Sequence, residues 1–340
     1  MALKPYIAEV INGRSLSFDQ AKEAMTIIMT GEATESQIGG YLTALRMKGE
    51  TTEEVGGSAA AMRELYIPVK PKETGDIIMD VVGTGGDGRH TFNISTTTAF
   101  VVAGVDGYKI AKHGNRGASS KSGSADVLIA LGANLDLGPD AVGACIDEVD
   151  IGFMFAVKHH PAMRYAIGTR RELGQRTVFN ILGPLTNPAD AKHYMIGTFA
   201  PHLCEQMAGS LRDLGAKSAF VVHGADGVDE LSTTGVNQLT HLIDGKLENI
   251  TLDPADLGIS YASLEDLIGG EPEENAVITR DILGGKLTGP KLDVVLLNAA
   301  AALSTQTRDF AAGLAKARES ISSGKALATL DAWIVKTNSS

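Results

Sequence analysis

The first 70 residues carry apolar side chains at the spacing of an α-helix. One stripe recurs at i, i+3, i+4 and i+7, formed by Ala21, Ala24, Met25 and Ile28. A hydroxyl residue followed three positions later by Gln or Glu, the capping-box pattern, precedes three such stretches, at Ser17, Thr34 and Thr51. We therefore expect three short amphipathic helices. None can bury its stripe alone, so they must pack on each other, on the rest of the chain or on a second subunit.

Beyond a polar segment at residues 70–75, short apolar strands alternate with helices. The candidate strands are 77–82, 108–111, 151–156, 193–198 and 219–223, and the candidate helices are 96–103, 124–131, 141–149, 162–173 and 202–214. This alternation predicts a mostly parallel sheet with helices on both faces. The predicted fold class is α/β: a small all-helical N-terminal domain, residues 1–70, precedes a large domain, residues 75–340, with a mostly parallel central sheet flanked by helices. After about residue 244 the pattern weakens, although residues 309–328 keep helical spacing.

Composition narrows the class of protein. The 340 residues carry a net charge of −11, which disfavours a general nucleic-acid binder because such proteins need a basic face. The apolar run 292–303 is shorter than the ~20 residues of a membrane helix and is better interpreted as a buried segment. The N-terminus lacks the pattern of a signal peptide. The two cysteines cannot form a disulfide framework. We expect a cytoplasmic protein with no membrane partner.

A glycine-rich loop follows the first candidate strand. It places Gly83, Gly85, Gly86 and Gly88 within six positions, a composition typical of phosphate-binding loops. The spacing Gly-x-Gly-x-x-Gly also meets the dinucleotide fingerprint. Two features oppose that interpretation: "RHTFN" separates the loop from the next helix, and the second strand ends in "KHGNRGASSKSGSAD" where an acid is expected. A triphosphate P-loop is also disfavoured, because no Gly-Lys-Ser/Thr follows.

Both of these strand ends carry anion-binding chemistry. After the first, Asn93, Ser95 and Thr96 precede a predicted helix, whose free N–H groups favour an anion. The second offers one cation and several neutral donors: Lys112, Asn115, Ser119, Ser120 and Ser124. Two such sites at adjacent strand ends indicate a ligand with two phosphate groups, or with a phosphate and a pyrophosphate.

Acidic and basic segments complete the candidate chemistry. A third strand end is followed by Asp226, Asp229 and Glu230, which suit Mg2+ bound together with substrate phosphates. Adjacent carboxylates cannot face each other across a sugar, so a glycosidase pair is disfavoured. In the basic segment 158–188, Arg170 or Arg171 can bind a carboxylate through two hydrogen bonds. His159 and His160 are adjacent and lack the spacing of a zinc site.

Seven motifs together resemble one family. They are "GTGGD", "NIST", "KHGNR", "SSKSGSAD", "HPAM", "RTVFNILGPLTNP" and "VHGADGVDE". In this order they resemble the anthranilate phosphoribosyltransferase family, one of the nucleoside phosphorylase-like phosphoribosyltransferases. The resemblance implies transfer of the 5-phosphoribosyl group from phosphoribosyl pyrophosphate (PRPP) to the amine of anthranilate in tryptophan biosynthesis. It also implies Mg2+ as cofactor and a homodimer joined through the small helical domain, which helices from about 162–190 would complete.

The resemblance also assigns site residues. It places PRPP on Gly83, Gly86, Asp87, Thr91, Asn93, Ile94, Ser95, Thr96, Lys112, His113, Gly114, Asn115, Arg116, Gly117, Ala118, Ser119, Ser120 and Ser124. It places Mg2+ on Ser95, Asp229 and Glu230, and anthranilate on Gly83, Asn115, His160, Arg170 and Pro184, with His113 also lining the channel. Lys112, His113 and Arg170 are the catalytic candidates.

The implied chemistry needs no strong base, because a neutral aromatic amine is already nucleophilic. We expect catalysis by positioning and electrostatic stabilisation, with no covalent intermediate. His113 either assists proton removal or lines the channel. Two rivals remain. A pyrimidine nucleoside phosphorylase shares the fold but uses a different glycine loop with lysine and serine. A non-catalytic nucleic-acid binder would have a basic face and lack the metal residues. The roles of Arg89 and His90 stay open.

Overall fold

The computed structural model describes residues 3–117 and 121–339. Ala118, Ser119 and Ser120, three of the predicted PRPP residues, lie outside the described residues. The chain begins with four helices, α1 (Lys4–Ile11), α2 (Phe18–Met29), α3 (Glu35–Lys48) and α4 (Thr52–Leu65). The capping boxes at Ser17, Thr34 and Thr51 are formed as predicted. The pattern does not predict α1, because its N-cap is Leu3, whose side chain has no hydrogen-bond acceptor.

A seven-stranded sheet forms the centre of the large domain. Its strands are β1 (Ile77–Gly83), β2 (Tyr108–Gly114), β3 (Ile151–Phe155), β4 (His193–Gly197), β5 (Ser218–His223), β6 (Asn237–Ile243) and β7 (Lys246–Leu252). The order is β3-β2-β1-β4-β5-β6-β7, with β1 to β5 parallel and the last two antiparallel. The α/β class is confirmed, and the five predicted strands are the parallel ones.

The β6–β7 hairpin is a strand pair that the sequence analysis misses. Asp244 and Gly245, which join the two strands, both have positive φ, at 49° and 73°. An Asp-Gly pair of this conformation is a strong hairpin signal, because the backbone twist of the turn matches that of the strands. The Asp-Gly pair lies in a region where the hydrophobic pattern is weak, so the two flanking strands do not stand out in the sequence.

Helices cover both faces of the sheet. They are α5 (Ile94–Ala103), α6 (Ser124–Ala130), α7 (Pro139–Val149), α8 (Ala156–His159), α9 (Arg164–Leu173), α10 (Phe179–Leu182), α11 (His202–Asp213), α12 (Pro272–Leu283), α13 (Pro290–Leu303), α14 (Phe310–Ser322) and α15 (Lys325–Asn338). The segment interpreted as buried is α13, whose residues from Val294 onward are all buried. The expected run 309–328 is two helices separated at Gly324, where φ is 80°. Within the described ranges, no helix is long and apolar enough to span a bilayer.

The two faces of the sheet belong to two different apolar cores. Successive strand side chains point to opposite faces, so Met195 and Phe220 join a core with α5 and the C-terminal helices. Their neighbours Tyr194, Ile196 and Val221 join a second core with α1 to α4 and α11. The N-terminal helices reach this face of the sheet through α4, which packs on α11, while α11 packs on β5. Arg63 of α4 also donates to the Tyr194 hydroxyl at 3.1 Å.

Two glycines allow the loop after β5 to cross the ends of its neighbours. A Cβ on Gly197, at the end of β4, would lie 1.7 Å from the backbone oxygen of Asp229, and one on Gly83 would lie 2.4 Å from its carboxylate. No side chain fits at either position. The absence of a Cβ brings the acidic loop to the carboxyl ends of β1 and β4, where open α/β sheets bind their ligands.

Candidate active site

Three residues of the glycine loop have a backbone conformation that favours glycine. Gly85, Gly86 and Gly88 have φ of 71°, 76° and 72°. The Asp229 carboxylate accepts the backbone N–H of Gly85, and the Asp87 carboxylate accepts the backbone N–H of Asp229 at 3.3 Å. The glycine loop and the acidic loop therefore hold each other in place.

Lys112 links three segments of the site. Its Nζ, buried at the end of β2, donates to the carbonyl oxygen of Val81 at 2.6 Å and to Oγ of Ser95 at 3.4 Å. Ser95, at the start of α5, hydrogen-bonds in turn to the Glu230 carboxylate. Burial lowers the pKa of Lys112, while the Asp80 and Glu230 carboxylates oppose that shift. A cation from β2, a hydroxyl from the start of α5 and a carboxylate from the loop after β5 thus form one hydrogen-bonded chain.

The acidic pair is a buried concentration of negative charge. Burial raises the pKa of both carboxyls, and Asp229 is raised well above its ordinary value because Glu230 and Asp87 add to the effect. Mg2+ prefers oxygen ligands, and these two carboxylates carry more negative charge than the single positive charge of Lys112 can neutralise. The pair therefore has the chemistry of a Mg2+ site. In the described part of the chain, no three or more His, Cys, Asp or Glu side chains are grouped to hold a metal. The pair therefore fits an ion that takes its remaining ligands from phosphates and water.

The candidate phosphate loop after β2, named here the second phosphate loop, is described at residues 115–117 and 121–123, and one carboxylate ties these two parts together. Asp126 accepts the N–H groups of Gly117 at 2.9 Å and Gly123 at 3.0 Å, and it pairs with Arg116 at 3.0 Å. Ser124 Oγ donates to the carbonyl oxygen of Asn115 at 3.2 Å. Asp126 is a residue that the sequence analysis misses, although its position three residues after Gly123 is that of a helix-start acid.

Asn93 directs its side chain into the protein. Its Oδ1 accepts from Ser122 Oγ at 3.1 Å and from Asn275 Nδ2 at 3.0 Å, and its Nδ2 donates to the Ser122 carbonyl at 3.1 Å. Asn93 therefore joins the start of α5 to the second phosphate loop and to α12. Two further predicted residues also have structural contacts. Thr91 forms an antiparallel β-bridge with Ile268, and Ile94 is buried.

Two histidine rings lie side by side next to Pro184. The ring centroids of His113 and His160 are 4.9 Å apart, and His113 Nδ1 is 3.1 Å from the carbonyl oxygen of Gly183. Burial lowers the pKa of His160 to about 4 and that of His113 well below its ordinary value. Both Nε2 atoms are buried without a hydrogen-bond partner among the described residues. Because Gly183 accepts the hydrogen bond from Nδ1, the neutral His113 keeps a lone pair on Nε2.

Arg170 lies on the adjacent segment of chain. Its guanidinium stacks over the Phe179 ring at 5.0 Å, and burial lowers its pKa. No carboxylate of the described residues forms an ion pair with Arg170. Arg171 is exposed. A half-buried, unpaired guanidinium is suited to bind a carboxylate from a ligand.

A buried carboxylate that the sequence analysis misses supports both halves of the site. Asp80 is fully buried on β1, where its Oδ1 accepts the backbone N–H of His113 at 3.2 Å and its Oδ2 accepts from Asn187 at 2.7 Å. Asn187 also donates to the Ala111 carbonyl at 2.8 Å. Burial raises the pKa of Asp80 to about 6. In the sequence, the sign of this buried carboxylate is an acidic residue inside the apolar run "IIMDVV".

Two segments of the chain match known families. Residues 75–327 match the family described as "Glycosyl transferase family, a/b domain", and residues 4–65 match "Glycosyl transferase family, helical bundle domain". A relative from Moorella thermoacetica named anthranilate phosphoribosyltransferase is 51% identical over 334 residues, covering 98% of this chain and 97% of that protein. The chain belongs to the anthranilate phosphoribosyltransferase family.

Solved structures of the anthranilate phosphoribosyltransferase family share the fold. The enzyme from Thermus thermophilus has a TM-score of 0.91 and 42% identity, with 98% of this chain and 99% of that chain covered. The enzyme from Saccharomyces cerevisiae, in complex with PRPP and Mg, also has a TM-score of 0.91, at 29% identity with 99% and 98% covered. The recognition from motifs is confirmed.

The residues that the family resemblance assigns fall into two groups in the structure. Contacts connect Ser95, Lys112 and Glu230 in one group, and they connect His113, His160 and the segment at Pro184 in the other. The backbone N–H of Arg89 donates to the Asp87 carboxylate at 3.0 Å, so Arg89 adjoins the acidic loop, and it also lines an open cleft of about 610 Å3 with Asp226 and Glu265. His90 uses its carbonyl oxygen to accept the backbone N–H of Gly269.

Proposed function

We propose that this member of the anthranilate phosphoribosyltransferase family transfers the 5-phosphoribosyl group of PRPP to the amine of anthranilate, releasing pyrophosphate, as a cytoplasmic step of tryptophan biosynthesis. The observation that carries the proposal is the hydrogen-bonded chain Lys112–Ser95–Glu230. It places a cation, a helix start and an acidic pair beside a glycine loop, which is the chemistry that a diphosphorylated sugar requires. The two buried free thiols, Cys145 and Cys204, are consistent with a reducing compartment.

On the phosphate side, we assign PRPP to the glycine loop, the start of α5 and the second phosphate loop. Asp229 and Glu230, with Ser95, would hold Mg2+. When bound, Mg2+ neutralises negative charge on the departing pyrophosphate. Lys112 and the free amides of the glycine loop act on the same charge from the protein side.

On the other side, we assign the anthranilate carboxylate to Arg170. Its unpaired guanidinium can donate two parallel hydrogen bonds to that group. Gly83 and Asn115 would contact the same ligand, and the rings of His113 and His160 with Pro184 would form the channel wall. Because both histidines are neutral, the wall adds no positive charge to compete with Arg170.

The reaction then needs positioning more than bond activation. The bond from the amine nitrogen to ribose C1 forms as the bond from C1 to the pyrophosphate oxygen breaks, and the nitrogen then loses a proton. Two separate networks hold the two substrates. Asp80 joins them, because its carboxylate accepts the His113 backbone N–H and also stabilises the positive charge of Lys112. His113 Nε2 has the free lone pair to accept the proton, or it serves as wall alone.

The activity is tested by following the fluorescence of anthranilate in the presence of PRPP and Mg2+. We expect anthranilate to be consumed, and we expect consumption to stop when the metal is removed with a chelator and to resume when Mg2+ is restored. A well-folded protein that consumes no anthranilate would contradict the proposal. Uridine or thymidine with inorganic phosphate is then the substrate pair to test, since a nucleoside phosphorylase would cleave it.

We propose further that residues 1–70, with helices from about 162–190, form a homodimer interface, while residues 75–340 form the catalytic domain. The helix α3 packs against both α1 and α9, and each of the three helices exposes an apolar side chain. These are Ile11, Met47 and Ile167, with exposed fractions of 67%, 83% and 50%. Large apolar side chains exposed on helices that pack on one another support a contact surface on this part of the protein.

Met47→Glu is expected to convert the dimer to monomer. An unpaired charge buried in an interface costs about 3–5 kcal/mol, which weakens association on the order of 100-fold or more. Sedimentation velocity at micromolar concentration measures the change. The matched control is Val335→Glu on α15, where the side chain is 68% exposed and outside the proposed interface. A dimer that tolerates Met47→Glu, or that Val335→Glu disrupts equally, would contradict this interface.

A further inference from the structure

Asn298, on the C-terminal helix α13, holds the acidic loop by its side-chain amide. The residue is fully buried, and its Oδ1 accepts the backbone N–H of Leu231 at 3.0 Å. Its Nδ2 donates to the backbone carbonyl of Leu231 at 2.8 Å and to that of Val294 at 2.8 Å. One side chain therefore satisfies both backbone polar groups of the residue directly after Glu230.

The hydrogen bonds from Asn298 take the place of those that a neighbouring strand would make to Leu231. Leu231 lies between β5 and β6, outside the sheet, and is itself fully buried, so its N–H and C=O need partners within the protein. Ser232 is held in the same way by Asn237, which accepts the Ser232 N–H at 2.7 Å and donates to its carbonyl at 2.9 Å. The backbone after Glu230 is thus fixed by two asparagine amides.

The helix that carries Asn298 also contacts the opposite side of the site. α13 packs along α5, whose first turn contains Ser95. Ser95 in turn hydrogen-bonds to Glu230. The position of Glu230 relative to Ser95 is therefore set twice, once by their direct contact and once through α13 and Asn298.

We propose that Asn298 is a positioning residue for the divalent-cation site. Its amide holds the Leu231 backbone so that the carboxylates of Asp229 and Glu230 face Ser95 at the separation that an oxygen-liganded cation requires. The inference rests on the proposed function, because it takes Asp229 and Glu230 as the cation ligands. The hydrogen bonds of the Asn298 side chain to described residues all go to backbone atoms, and Asn298 would touch neither substrate nor metal. Outer residues that orient metal ligands commonly change metal affinity by about 10- to 100-fold when replaced.

The test is a titration of Mn2+, used in place of Mg2+, against the protein with pyrophosphate present, read by electron paramagnetic resonance. Asn298→Ala is expected to weaken Mn2+ binding about 10-fold or more, with the KM for anthranilate within about twofold of the wild type. A residue that merely stabilised the fold would leave Mn2+ affinity unchanged in the folded fraction. Equal Mn2+ affinity in Asn298→Ala and the wild type would overturn the inference.

Two further variants sharpen the experiment. Ser320→Ala on α14 removes another buried hydrogen bond from a C-terminal helix to a backbone carbonyl, that of Val101 at 2.7 Å, but does not reach the acidic loop. It should bind Mn2+ like the wild type. If Asn298→Ala does not fold, Asn298→Asp keeps the side-chain shape while setting a carboxylate against the Leu231 carbonyl, and the same loss is expected. A wild type that binds no Mn2+ with pyrophosphate would refute the proposed metal site itself, an outcome distinct from equal binding by wild type and variant.

Discussion

Replacing Glu230 by Gln, or Asp229 by Asn, is expected to lower kcat/KM for PRPP about 10³-fold at a fixed Mg2+ concentration. Each substitution keeps the shape of the side chain but removes one of the two charges that would hold the cation. The loss should be partly recovered by raising Mg2+, because the variant binds the ion more weakly. Steady-state kinetics over a Mg2+ series measures both effects.

The fold should survive these substitutions. Burial raises the pKa of both carboxyls, that of Glu230 to about 7, and the charge of Asp87 raises both further. A carboxyl with a raised pKa in the folded state destabilises that state as the pH rises through this value. Glu230→Gln should therefore keep or increase the Tm of the metal-free protein at pH 8. Asp226→Asn is the matched control, since it removes a charge from the same loop without touching the pair. Equal loss of activity in Asp226→Asn would show that general acidity of the loop, and not these two ligands, matters.

Arg170→Ala should raise the KM for anthranilate and lower kcat/KM for it about 10²-fold or more, because two charge-assisted hydrogen bonds to the carboxylate are lost. The KM for PRPP should stay within about twofold, since Arg170 stacks on Phe179 and takes no part in the hydrogen bonds of Lys112 to Val81 and Ser95. Arg170→Lys keeps the charge but loses the planar fork, so it should recover only part of the activity.

Arg171→Ala provides the control for this prediction. The two arginines are adjacent on α9, but Arg171 is exposed while Arg170 is half-buried over Phe179. Arg171→Ala should therefore keep activity close to the wild type. If the two variants lose activity equally, the effect comes from the charge of the segment and the assignment of the anthranilate carboxylate to Arg170 is wrong.

Local patterns predict those parts of the molecule that local physics determines. The three capping boxes each involve residues three positions apart, and all three are formed. The chemistry at strand ends is equally local, since the carboxyl ends of parallel strands must meet at one edge of the sheet. The strand β7 shows the limit, because its side chains are mostly exposed and give little apolar pattern.

The supports of the site depend on contacts that no local pattern contains. Asn187 reaches Asp80 across 107 positions, Asn275 reaches Asn93 across 182, and Asn298 reaches Leu231 across 67. Each is a buried amide that satisfies groups on another segment, and its partner is fixed only by how the helices pack on the sheet. A single asparagine gives no sign in the sequence of which distant group it will meet.

The second apolar core, which joins α1 to α4 with one face of β4 and β5, has a consequence for how the chain can vary over evolution. The two matched family segments divide the chain between residues 65 and 75, yet Tyr194, Ile196 and Val221 of the sheet share their core with the helices before that division. The boundary between the two family segments therefore lies in the sequence, whereas the apolar core extends across it. A helical segment exchanged between distant relatives would meet a sheet face shaped for another partner. Inheritance should therefore keep the two segments together as one heritable unit.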